Sequence, residues 1–432
     1  MDTYEEKSGE ELKEAELYDH AGNSVIHKAA SLGHAEVLML LLERTGATPD
    51  LVNSSLATPL HLACKNARAD AAKFLIGCGV DANVQDEHGQ VPLLICCIHG
   101  HFELARMILE ASTAGHLPEP LEVDLKDHRG LSPLNCASIK GDFDMTKLLV
   151  LNGGAAVDGA SPKGCTPLLY AARGGYAEVV RFLLARGASP LRQDNAGGTV
   201  LHHAIEKGHA DVLAVLQEHG VDVHSAIEIA DNAGRTPVFE AIDNHDTPEI
   251  LKLLTKPRKE GGFEAKVNIM SYNGQTPLFS AVREGHIAVV KAMVEECGAK
   301  VDLTQGELYK EELEEQPETY ASLEEKFFMD AYKNCMTPLH VAVVLGYDEI
   351  LNYLIEQGAN PNLQTKLKGY SSLHLAVLAN KPEIIIELLT RSQANPYLPD
   401  FGGRTLQDMV EIFIPSYLES FKALLENLQS LK

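Results

Sequence analysis

The chain has 432 residues, 45% hydrophobic and 23% charged, with no tryptophan and a formal net charge of −24. That length allows two or three ordinary domains or one repetitive one, and the composition is that of a folded, water-soluble protein. The acidity excludes a nucleic-acid binder that works by neutralising phosphates and argues against an anionic membrane surface; a protein partner with a basic surface suits it better.

Residues 1–20 read as an acidic N-terminal segment, in which MDTYEEKSGEE has no apolar stretch of the kind a secretion signal needs. The longest apolar run, VLMLLL at 37–42, is too short to span a bilayer, so no membrane insertion is expected. Eight cysteines lie without a CxxC pair or a disulfide-framework spacing. Reduced thiols are therefore expected, with a cytoplasmic location and the nucleus as the other reducing compartment.

From residue 24 onward one short motif returns. Its copies are NSVIHKAA (anchored at Ser24), TPLHLAC (Thr58), VPLLICC (Val91), SPLNCAS (Ser132), TPLLYAA (Thr166) and TVLHHAI (Thr199). TPVFEAI (Thr236), TPLFSAV (Thr276), TPLHVAV (Thr337), SSLHLAV (Ser371) and TLQDMV (Thr405) complete the series. Six of the ten gaps between anchors are 33 or 34 residues, and the other four are longer, which fits one period plus insertions. Five residues past each anchor stands a very small side chain in ten copies, from Ala29 to Ala376, and Val410 in the last.

Each position in the motif has a physical reason. Thr or Ser suits a helix N-cap, and Pro suits the first helical residue, where no N–H is required. The small side chain lets neighbouring helices approach closely. A glycine such as Gly141 or Gly346 ends this helix in the left-handed region. A second amphipathic run follows, as in AEVVRFLLARG at 177–187, and then a turn pair such as Arg129-Gly130. Helices this short are marginal alone and need their neighbours.

The period and the T-P-L-H-x-A pattern resemble the ankyrin repeat. The resemblance covers residues 21–428 and implies an all-α ankyrin-repeat solenoid of about eleven helix-turn-helix units. It also implies a non-catalytic protein-protein interaction module: a scaffold, an adaptor or a structural subunit. A regulatory or targeting subunit that holds or inhibits an enzyme is the alternative. No catalytic signature such as GxxxxGK[ST], GxSxG or HExxH occurs, so neither an enzyme nor a cofactor is expected.

The polar residues of the motif read as structural. His27, His61, His202, His340 and His374 share its fourth slot, where recurrence favours a bridge between units over a catalytic or ligating role. The pairs His202-His203 and His99/His101 have no carboxylate or thiolate at zinc spacing, and no metal site is expected. Cys64, Cys96 and Cys97 fall in or beside the small slot and are expected to be buried.

Individuality should lie where the period is broken. Residues 111–122 and 255–266 are expected to lengthen loops after second helices, and 225–229 one turn. The largest insertion, at about 303–333, carries nine acidic and three basic side chains, yet also Phe327, Phe328 and Tyr332. Val344, Leu345, Leu378, Ile412 and Phe413 are apolar at positions where concave-face residues are normally polar, which marks a contact surface. Two readings stay open: a partner packs there with the insertion as rim, or Phe327, Phe328 and Tyr332 fold back and cover Val344, Leu345 and Leu378. A capping helix is expected at about 415–430, with Tyr417, Phe421, Leu424, Leu425 and Leu428 on its apolar face.

Overall fold

The computed structural model describes residues 18–220, 225–243, 248–257, 262–304 and 335–430. Among these the protein is all-α, with twenty-two α-helices, one 3-10 turn and no strand; a lone antiparallel bridge joins Tyr18 to Ser24. The chain divides into two compact bodies, residues 1–195 and 196–432.

The first body holds five helix pairs. They are α1 (Val25–Leu32) with α2 (Ala35–Thr45), α3 (Pro59–Lys65) with α4 (Ala69–Gly77), and α5 (Pro92–His99) with α6 (Phe102–Thr113). Then come α7 (Pro133–Lys140) with α8 (Phe143–Leu151) and α9 (Pro167–Arg173) with α10 (Ala177–Ala185). The second body holds six. Its pairs are α11 (Val200–Glu206) with α12 (Ala210–His219), α13 (Pro237–Asp243) with α14 (Pro248–Thr255), and α15 (Pro277–Arg283) with α16 (Ile287–Glu295). They continue with α17 (Pro338–Leu345) and α18 (Asp348–Glu356), then α19 (Ser372–Leu378) and α20 (Pro382–Arg391). The last pair is α21 (Leu406–Phe413) and, after the 3-10 turn Pro415–Tyr417, α22 (Leu418–Ser430).

Within each body the first helix of a pair packs on the first helix of the next, as α1 does on α3 and α19 on α21. Ala63, Ala137, Ala204, Ala342 and Ala376 are fully buried at these crossings, where a longer side chain would force the axes apart. Helix α15 packs directly on α17, so the long insertion leaves the row of helices unbroken.

The ends of the helices follow the expected chemistry. Ser24, Ser132, Thr166, Thr276 and Thr337 accept a hydrogen bond from a first-turn amide of their helices. Gly141 closes α7 at φ +69°, and a side chain there would run into the Tyr176 ring. Two non-glycine residues take the same left-handed role: Ala67 at φ +57° and Asn380 at φ +53°.

Between pairs, turn carboxylates organise the backbone. Asp86 accepts from the amides of His88 and Gln90, Asp127 from Arg129 and Leu131, and Asp400 from Gly402 and Arg404. Burial pushes the Asp400 carboxyl up, but its amide bonds and Arg404 outweigh this and hold it below the usual carboxylate range. Adjacent turn tips are joined by one backbone bond, such as His128 N–H to the His88 carbonyl at 2.8 Å.

Two insertions differ from the loops expected. The first residues of 111–122 continue α6 to Thr113, so the helix is lengthened as well as the loop. Of 255–266, residues 262–265 lie against α14, with the Phe263 amide on the Leu253 carbonyl and the Ala265 amide on the Leu254 carbonyl. Phe263 is thereby fully buried, as a plug rather than a loop residue.

Candidate protein-binding surface

The recurrent histidines are built into the joints between repeats. His340 Nδ1 accepts from the Thr337 amide at 3.2 Å, and its Nε2 reaches the Leu363 carbonyl in the next turn at 3.0 Å. Since Nδ1 accepts a backbone N–H, the proton sits on Nε2 and the ring is neutral. His27, His61 and His202 make the same pair of bonds, to the carbonyls of Ala57, Gln90 and Arg235. His374 caps Ser371 in this way, while its Nε2 makes no bond of normal length. Burial lowers the pKa of all five rings, and takes His340 to about 4. Asn135 replaces the histidine in the fourth repeat and copies both bonds: Oδ1 accepts from the Ser132 amide at 3.1 Å and Nδ2 donates to the Gly159 carbonyl at 3.0 Å.

These five rings therefore serve as joints and caps within the stack. Both nitrogens of His202 are engaged in hydrogen bonds, and the rings of His99 and His101 stack with centroids 5.7 Å apart. Cys64, Cys96 and Cys97 are fully buried, and none of the eight cysteines forms a disulfide. Hydrogen bonding to Cys64, together with burial, raises Cys96 far above the usual thiol range, and burial does the same to Cys97. Such thiols are poor nucleophiles.

The family model for ankyrin repeats (3 copies) matches the chain in overlapping windows that run over residues 9–305 and again over 320–405. The chain belongs to the ankyrin-repeat family. Among its relatives, the B-cell lymphoma 3 protein homolog of Mus musculus is 27% identical over 47% of this chain and 45% of its own length. The transient receptor potential cation channel subfamily A member 1 of Homo sapiens is 23% identical over 83% of this chain and 38% of its own. The chain thus spans less than half of these relatives. Among solved structures, the ankyrin repeat domain of Bcl-3, described as a unique member of the IkappaB protein family, aligns at a TM-score of 0.46 with 25% identity. It covers 51% of this chain and 94% of that one. Ankyrin repeats are protein-interaction modules. No helix among the described residues is long and apolar enough to cross a membrane.

In this ankyrin stack the apolar residues singled out from the sequence occupy one register. Val344 and Leu345 end α17, Leu378 ends α19, and Ile412 and Phe413 end α21. The three helices pack side by side, so these residues fall in a row. Val344, Leu345 and Leu378 are half-buried; Ile412 is 59% exposed and Phe413 48%. Phe327, Phe328 and Tyr332 lie outside the described residues. The corresponding positions in most earlier repeats carry polar groups, such as Lys65 and Asn66, or Arg283 and Glu284, although Leu32, Ile98 and Ile139 are single apolar residues there.

Sequence reasoning missed the turn carboxylates as a set, although their signal was present: Asp19, Asp86, Asp127 and Asp231 recur just ahead of the motif. It also missed an apolar cleft beside the final helix, because a helical apolar face does not reveal how much of itself the neighbouring repeat will cover.

Proposed function

We propose that the chain is a non-catalytic scaffold or adaptor, located in the cytoplasm, that binds a partner protein through the ends of its C-terminal inner helices. The row Val344, Leu345, Leu378, Ile412 and Phe413 supports this reading, since half-buried and exposed apolar side chains in register on three adjoining helices offer a contact patch, with Ile412 and Phe413 its most exposed part. The net charge of −24 favours a partner with a basic surface around an apolar centre. Phe327 and Phe328, from the acidic insertion, would stand at the rim. Nothing in this mechanism calls for a cofactor, a metal or nucleic acid.

The double variant Ile412→Asp/Phe413→Asp tests it. Both side chains are exposed, so stability should change by no more than about 1 kcal/mol, while recovery of co-purifying partners in quantitative affinity purification should fall at least tenfold. An unchanged partner set would overturn the assignment. Deleting 306–331 then separates the insertion's two roles: lost partners with intact folding support a rim, and lost solubility supports self-covering.

A further inference from the structure

The apolar face of the last helix is only half used by the repeat beneath it. On α22, Phe421 and Leu425 are buried, whereas Leu424 is half-buried and Tyr417, in the turn before it, is 43% exposed. Across from them α20 presents Ile386, 49% exposed. Between lies an open apolar cleft of about 270 Å³, walled by Pro382, Ile385 and Ile386 on one side and Tyr417, Phe421 and Leu424 on the other. Ile414 closes its floor.

We propose that this cleft is a second protein-docking site and that its occupant is a basic amphipathic helix of a partner protein. Its walls share no residue with the inner-helix patch, so the two assignments stand or fall separately. The charge around the cleft selects the occupant. Glu383 and Glu387 run along the α20 wall, and Glu419 and Glu426 along the stripe of α22 that carries Ala423. Glu387 and Glu419 hold Arg391 and Lys422 at 3.5 and 3.4 Å. Glu383 and Glu426 are exposed and form no ion pair among the described residues. A cation is therefore accommodated on either wall.

Shape narrows the choice further. The volume takes roughly two or three aliphatic side chains, which a helix supplies from one face at i, i+3 or i+4, and i+7. From Leu418 to Asn427 α22 offers a wall about 15 Å long, enough for two to three turns of such a helix to lie along it. A β-strand would find no open sheet edge, since no strand occurs among the described residues. A second copy would bring its own acidic rim against this one.

The probe is a fluorescein-labelled sixteen-residue peptide with leucines on one helical face and lysines on the other, titrated by anisotropy against the full chain. A glutamate version is the control. The lysine peptide should bind in the low-micromolar range and the glutamate peptide at least tenfold more weakly. Ser420→Trp fills the cleft without changing the charge and should weaken the lysine peptide at least tenfold, whereas Ile412→Asp/Phe413→Asp should not. Should the melting curve of Ser420→Trp show misfolding, Ile386→Ser replaces it. Absent binding, or equal binding by the cleft variants through general acidity, overturns the proposal. Sedimentation velocity gives the remaining outcome: a dimer abolished by Ser420→Trp assigns the cleft to a second copy and likewise overturns it.

Discussion

Replacing His340 with asparagine should remove a defined part of the protein's sensitivity to acid. The ring is buried and neutral, with its pKa lowered to about 4, against 6.5 in an unfolded chain. Above pH 6.5 both states are unprotonated and the shift has no effect on stability. As pH falls from 6.5 toward 4, the unfolded chain takes up a proton that the folded chain declines, so stability falls with pH. At pH 5 the loss from this one ring is about 2 kcal/mol, and it approaches about 3 kcal/mol near pH 4. Asparagine cannot titrate, and Asn135 shows that it can make both bonds of the joint. His340→Asn should cost about 1 kcal/mol or less at pH 8, and should then lose about 2 kcal/mol less than the parent on going to pH 5. Urea unfolding followed by circular dichroism at the two pH values measures the difference, and proton NMR of the His340 ring gives its pKa directly. Identical pH dependence in the two proteins, or a ring that titrates near 6.5, would refute the reasoning.

Three further outcomes follow from the backbone and core. Ala67→Gly should stabilise the chain by about 0.5–1 kcal/mol, because alanine is held at φ +57°, while Asn380→Gly should gain less, as asparagine tolerates that region; paired urea midpoints compare them. Phe263→Ala should cost about 3–5 kcal/mol, far more than a loop substitution, and proteolysis should then cut near 255–266. Gly130→Ala should cost more than about 1 kcal/mol: φ is +73° and the added carbon would lie 2.2 Å from the Pro162 ring, so the melting temperature should drop.

Much of the fold was legible because the motif repeats its constraints. A cap, a close helix crossing and a left-handed stop each demand a residue type, and the period sets those demands in register from Ser24 to Thr405. The histidine joints were readable for the same reason: five copies in one slot identify a structural part. Features found once were not readable. Phe263 looked like one residue of a lengthened loop, since burying it depends on how residues 262–265 lie against α14. Likewise Tyr417 and Leu424 shared the helical spacing of Phe421 and Leu425, and only the placement of α20 decides which of them meet the last repeat. The inner-helix patch lay between these cases. Its register was visible in Val344, Leu378 and Ile412, but how far each side chain emerges depended on the packing around it.

The imidazole joints have a direction. His27, His61, His202 and His340 each donate an Nε2 proton forward to the turn that follows. Cutting the chain just after such a repeat strands a ring donor, whereas trimming from the opposite end frees the turn carbonyl that accepted it and a turn amide. The eleventh repeat makes no such forward bond among the described residues: Asp408, in the histidine slot, is exposed and accepts from Thr405. Any shortened version of this array should therefore carry an aspartate, or an aliphatic residue like Leu94 and Leu169, wherever its new final joint would fall.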